Sequence, residues 1–292
     1  MWLGLGLLRL AAWLPHHHLL AIGRALGLLV WHVFPYRRGV AATNLRLCYP
    51  GMPPAQRRAR LRAHYAAMGM GVFELAEAWW KPAARLRGLA DIHGIEHLRA
   101  VAASGRGAIL LSGHFTTLEI IGRLLNDQYR FSCLYRRPNN PVLSWVMSRR
   151  RAQEMAQVIH FDDMPGFIRA LRHGAMVWYA PDQGKSFKYA VVAPFFGEPA
   201  ISNAATGRIA AMGSAAILPF FGRRLENGRY RIDILPEITD LPSADPVAEA
   251  SHINELIAAR INLAPEQYFW LHRRFKRRGP EYPDVYSTRA TG

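Results

Sequence analysis

Cysteine is scarce in this sequence: Cys48 and Cys133 are the only two in 292 residues. That is too few for a disulfide framework and points to a reducing compartment, with buried free thiols as the expectation. Neither cysteine sits in a recognisable nucleophile context. Lysine is nearly missing. Lys81, Lys185, Lys188 and Lys276 are the only lysines among 37 basic residues; the rest are arginine. Acidic residues number 21, which leaves a formal charge of +16. So large an excess implies an anionic partner, whether nucleic acid, anionic lipid or an acidic protein. The arginine form suits bidentate capture of phosphate and carboxylate. Internal repeats and low-complexity tracts are absent. No charge-free apolar run reaches the ~18 residues of a spanning helix, and no small-residue cleavage site suggests a removable signal peptide.

What is present begins with an apolar N-terminus. Residues 1–35 are rich in Leu, Trp and Gly, but Arg9, His16–His18 and Arg24 interrupt them. They read as two short helices broken at Leu14-Pro15 that lie in or dip into one membrane leaflet, or as a marginal span with snorkelling arginines, with the histidines as an interfacial cluster. Arg37, Arg38 and Arg46 follow, which places the main body, residues 36–292, on the cytoplasmic side. Leu61, Tyr65, Met68, Val72, Leu75 and Trp79 recur at steps of four and three, the period of a helix with a core-facing stripe; Pro82 stops it. From about residue 90, strands and helices alternate. Strands are expected at 107–112, 130–135, 175–180, 215–221 and 230–235, and helices at 116–125, 142–155, 165–173, 203–212 and 245–263. Glu226-Asn227-Gly228 is a hairpin turn. The pattern predicts an α/β fold: a mixed, mostly parallel sheet flanked by helices, with an antiparallel hairpin near its edge.

The candidate site is His114-Phe115-Thr116-Thr117-Leu118-Glu119. Residues five apart on an ideal helix differ by about 140° and share no face. If His114 instead occupies the strand-to-helix turn and Glu119 the first helical turn, the two can meet. The carboxylate would fix the imidazole tautomer, and the other ring nitrogen would take a proton from a substrate hydroxyl. The spacing alone carries little, since about one such match arises by chance in a chain of this composition. Its setting at the C-terminal end of an apolar strand is where open α/β sheets place their sites.

Several blocks surround this motif: Asn44-Leu45-Arg46-Leu47-Cys48-Tyr49-Pro50, Tyr135-Arg136 with Asn139-Asn140-Pro141, Trp178 through Gln183, Ala193-Pro194-Phe195-Phe196, and Ala264 through Lys276. From about residue 36 onward the chain resembles the bacterial lipid A biosynthesis acyltransferases, the late lauroyl and myristoyl enzymes with an H-x-x-x-x-D/E motif. The resemblance implies His114 and Glu119 as the catalytic pair. It also implies an acyl carrier protein thioester as donor, an anionic lipid A precursor as acceptor, the inner membrane as location, and no cofactor. The family often has proline where Arg137 stands, which leaves Arg136 and Arg137 as alternatives for one functional arginine.

Further roles follow from residue type. Arg136 and Arg149–Arg151 are candidates for lipid phosphate or the carrier's phosphopantetheine. Asp182 suits orienting a substrate group or an arginine, Lys185 and Lys188 suit phosphate, and Arg273 and Arg274 with neighbouring aromatics suit a headgroup interface. Backbone amides at the helix start are expected to hold the thioester oxyanion. His160 with Asp162 and Asp163 lacks a further ligand, so no metal is expected. Two rival readings remain: an acyltransferase with another acceptor, such as a lysophospholipid or ornithine lipid, and a basic nucleic-acid-binding protein without enzymatic activity. The strand–His–helix setting, the apolar N-terminus and the lack of any standard nucleic-acid motif weigh against the second.

Overall fold

The computed structural model describes residues 1–184 and 189–287; Lys185 and Lys188 lie outside the described residues. Four helices lead: α1 (Trp2–Ala11), α2 (His16–Val33), α3 (Pro35–Cys48) and the 27-residue α4 (Pro54–Trp80). The break at Pro15 falls as expected, and the chain bends by 100° between α2 and α3. Among the described residues, no single helix is long and apolar enough to cross a membrane. Instead α2 lies along α4, with Leu19, Gly23, Gly27 and Trp31 buried. Its other face leaves Ile22, Leu26, Leu29 and Val33 exposed, as α1 leaves Trp2, Leu3, Leu7 and Leu10.

The contact between α2 and α4 depends on glycine. A Cβ on Gly27 would sit 2.0 Å from the Tyr65 carbonyl oxygen, and one on Gly69 would sit 2.0 Å from that of Gly23. The two backbones touch where side chains would hold them apart. Of the apolar stripe along α4, Leu61, Tyr65 and Trp79 are buried, whereas Met68, Val72 and Leu75 line a cavity.

The remaining elements are α5 (Ala83–Leu86), β1 (Ala90–His93), α6 (Ile95–Ala103), β2 (Ala108–Leu111), α7 (Leu118–Asn126), β3 (Ser132–Tyr135), α8 (Pro141–Glu154), β4 (Val158–His160), α9 (Met164–Arg172), β5 (Met176–Tyr179), β6 (Ala190–Phe195), β7 (Glu198–Asn203), α10 (Thr206–Gly213), β8 (Ala216–Arg224), β9 (Tyr230–Ile234) and α11 (Pro246–Ile261). Seven strands form one sheet in the order β1-β9-β8-β2-β5-β3-β4. All its pairs are parallel except the β8–β9 hairpin. All four residues of β2 are buried. Ile109 and Leu111 join one apolar cluster, Ala108 and Leu110 the other. Both faces of the sheet are therefore covered, as an apolar run without alternation requires.

The expected strands and helices from residue 107 onward are present with small shifts at their ends. Three features lack a strong sequence signal. β1 and β4 are edge strands of four and three residues. β6 and β7 pair antiparallel outside the main sheet, with Pro194 opposite Pro199, and proline ordinarily argues against a strand.

Candidate active site

The sheet register brings the central pair together. β2 and β5 are adjacent and parallel, with Leu111 opposite Tyr179. His114 stands three residues past Leu111, and Asp182 three residues past Tyr179. Both therefore emerge side by side at the carboxyl edge. His114 Nδ1 lies 2.6 Å from Asp182 Oδ1, and the His114 backbone N–H donates to Asp182 Oδ2 at 2.9 Å. An ionised carboxylate only accepts, so Nδ1 carries a proton, and Nε2 is the ring nitrogen left free of Asp182. The His114 side chain remains 32% exposed while that of Asp182 is fully buried.

Burial alone would raise the Asp182 pKa. The His114 charge, the two hydrogen bonds from His114, and the charge of Arg274 outweigh it and hold the carboxyl at about 2, below its ordinary 3.8. Asp182 is thus a permanent anion behind the imidazole. Tyr268 adjoins it, its phenol pushed well above the ordinary value by burial and by the Asp182 charge. The Trp178 ring stands edge-on to His114 at 6.0 Å.

The expected contact between His114 and Glu119 is replaced. Glu119, in the first turn of α7, accepts from Trp79 Nε1 at 3.0 Å and forms an ion pair with Arg151 of α8. The carboxylate that sets the imidazole tautomer is Asp182. The physical reason is the parallel register, which delivers Asp182 to Nδ1 from the neighbouring strand. Glu119 still lines the same cavity as His114. Arg151, its partner, also packs over the Tyr135 ring at 5.1 Å.

That cavity holds about 500 Å³. Its apolar wall comes from Met68, Val72 and Leu75 of α4 with Leu134, Met147 and Phe161. Arg136 lines it and Arg137 does not. Of the run Arg149–Arg151, only Arg151 lines it. Arg149 instead lies exposed over the Trp145 ring at 5.6 Å.

The C-terminal arginines also differ from expectation. Arg274 is buried and donates to the Ile201 carbonyl, to Ser202 Oγ at 3.0 Å and to Asn254 Oδ1 at 3.1 Å. Its guanidinium is committed to the protein, where it ties the β6–β7 hairpin to α11 and supports the Asp182 charge. Arg273 pairs with Asp284 at 3.2 Å and covers the Tyr286 ring at 4.8 Å. Neither lines the cavity.

The amides at the start of α7 are largely committed too. His114 N donates to Asp182, Thr116 N to the Gln267 carbonyl at 2.7 Å, and Leu118 N to the Phe115 carbonyl at 3.2 Å. Side-chain N–H donors that face the cavity include Arg136, Arg151 and Gln183. Cys48 and Cys133 are buried free thiols, pushed up by burial. Asp163 caps α9 rather than joining His160, and among the described residues no His, Cys, Asp or Glu cluster could hold a metal.

Comparison with known proteins adds to this geometry. The profile for bacterial lipid A biosynthesis acyltransferases matches residues 1–277. The chain is 35% identical over 287 residues to the lipid A biosynthesis lauroyltransferase of Escherichia coli (strain K12), covering 98% of this chain and 94% of that one. It is 33% identical over 282 residues to the palmitoleoyltransferase of the same organism, covering 95% and 91%. Among solved structures, the 1-acyl-sn-glycerophosphate acyltransferase PlsC from Thermotoga maritima aligns over 82% of this chain and 97% of its own. Its TM-score is 0.39 at 13% identity.

Proposed function

This chain belongs to the bacterial lipid A biosynthesis acyltransferase family, and on that premise we propose that it transfers a fatty acyl group from an acyl carrier protein thioester to a hydroxyl of a lipid A precursor. One observation carries the mechanism: an exposed imidazole edge on an apolar cavity, backed by a buried carboxylate. His114 Nε2 takes the proton of the acceptor hydroxyl as its oxygen attacks the thioester carbonyl carbon. The tetrahedral intermediate then collapses, the C–S bond breaks, and the departing thiolate takes the proton back from the imidazolium. Asp182 stabilises that imidazolium and fixes the tautomer. Atoms and charge balance without a metal or organic cofactor.

Glu119 has a different task in this scheme. Its pairing holds Arg151 on the cavity wall, where Arg151 and Arg136 suit the anionic groups of donor or acceptor. A carrier protein that is acidic would be drawn to a chain of formal charge +16. The exposed apolar faces of α1 and α2, with Arg9, Arg85 and Arg149 near them, suit a helix pair lying on the cytoplasmic surface of the inner membrane.

The test is direct. Purified enzyme in detergent is given acyl carrier protein thioester and lipid A precursor, and product is followed by mass spectrometry. His114→Ala is expected to lower turnover on the order of a thousandfold with its circular dichroism unchanged. Full activity in that variant would end the proposal.

A further inference from the structure

Gly122 stands in the middle of α7, one turn beyond Leu118 and on the same face. A glycine inside a helix is destabilising relative to alanine, so it calls for a reason. At Gly27 and Gly69 the reason is backbone contact. At Gly122 it is not. A Cβ there would lie 3.7 Å from Phe131 Cζ and 3.8 Å from Met155 Cε, both ordinary contact distances. Alanine would fit, and the helix would be more stable with it.

What the missing methyl leaves open is a void of about 20 Å³, walled by Gly122, Phe131, Cys133, Met155 and Phe220. This volume admits about one water-sized or methyl-sized group, and the lining is mostly apolar, with the mutually paired Glu119 and Arg151 as its charged residues. The void also adjoins the cavity at His114: Leu118, Glu119, Arg151 and Trp178 wall both. The Glu119–Arg151 pair at the junction neutralises itself, and an arginine stem is itself apolar.

We propose that this void receives the terminal methyl of the donor's acyl chain, so that Gly122 helps to determine the chain length the enzyme accepts. The proposal rests on the acyl-transfer reading above. In it, the α4 side chains and Met147 hold the earlier methylenes, and the chain ends between Phe131 and Met155. One methylene too many at a closed wall costs roughly 10-fold or more in kcat/KM.

The experiment measures kcat/KM for a ladder of saturated acyl carrier protein thioesters from roughly 10 to 16 carbons, with wild type, Gly122→Ala and Met155→Ala. Gly122→Ala is expected to raise Tm and move the optimum to a shorter donor. The preference for the wild-type optimum over the donor two carbons shorter should fall roughly 10-fold. Met155→Ala is expected to move the optimum the other way. An active Gly122→Ala with an unchanged ladder would show the void to be a packing defect and overturn the inference. If Gly122→Ala does not fold, Met155→Ala decides alone, and an unchanged ladder overturns the inference equally. A wild type that turns over no thioester of any length would defeat the acyl-transfer reading instead.

Discussion

His114 was legible from sequence because everything that exposes it is local: an apolar strand, a glycine and a following helix. The carboxylate in contact with it was not, because Glu119 and Asp182 are both acidic residues near strand ends and only pairing across the sheet separates them. The two carboxylates can be told apart by experiment. Asp182→Asn removes the charge that favours the imidazolium and permits the wrong tautomer, so turnover should fall by about 10³ to 10⁴. Glu119→Gln leaves the His114–Asp182 contact in place and loosens Arg151. Its loss should fall mainly on KM for the charged substrate, with kcat less affected. Steady-state kinetics on both variants checks this; a larger kcat loss in Glu119→Gln than in Asp182→Asn would return the orienting role to Glu119. The arginines show the same division. Arg136, Arg149 and Arg151 are alike in sequence, and packing alone decides which faces the cavity.

The N-terminal helices show what periodicity reads and what it omits. Their existence and the break at Pro15 follow from the sequence. The close packing of α2 on α4 does not, because glycines at 27 and 69 carry no apolar signal. Gly27→Leu would force the helices apart and should cost about 1 to 3 kcal/mol of stability, measurable by denaturant unfolding in detergent. No loss would mean that the two helices separate freely.

His16, expected in an interfacial cluster, instead forms a latch between elements. Nδ1 lies 2.7 Å from Glu77 Oε2 and Nε2 lies 2.9 Å from the Gly228 carbonyl oxygen. Two acceptors call for two ring protons. Around it stand Glu74, Glu77 with its partner Lys81, and the Tyr230 ring. Burial lowers the His16 pKa, but the hydrogen bond and charge of Glu77, the Gly228 carbonyl and Glu74 raise it above 6.5 on balance. A raised folded pKa stabilises fully below the unfolded value of 6.5 and loses that stabilisation as pH rises through the folded one. Amide hydrogen exchange, corrected for the intrinsic effect of pH, should show α2 opening more readily as pH climbs above 6.5. His16→Leu should abolish that dependence; the same slope in the variant would refute the latch.

At the scale of the whole molecule, charge and apolar surface act together. The exposed faces of α1 and α2 predict binding to vesicles of anionic phospholipid. Each arginine near such a surface contributes about 1 kcal/mol and is screened by salt, whereas the apolar contribution is not. In co-sedimentation, high salt should therefore weaken binding without abolishing it. Changing Leu3, Leu7 and Leu10 together to serine should reduce it at every salt concentration. Binding that vanishes in salt and ignores the leucines would make the attachment purely electrostatic.

By itself, the sequence determined what is local or additive: the α/β alternation, the exposed histidine at a strand end, the basic charge and the apolar N-terminus. Each depends on residue type and spacing within a few turns. Tertiary structure decided what requires distant segments to meet. Asp182 reaches His114 only through the register of β2 on β5, two strands separated by β3, β4 and three helices. Arg274 is drawn inward by Ser202 and Asn254, and the void beside Gly122 exists only because Phe131 and Met155 converge on it. Propensity and periodicity carry no information about such long-range pairing, because its free energy comes from contacts that exist only after the chain has folded.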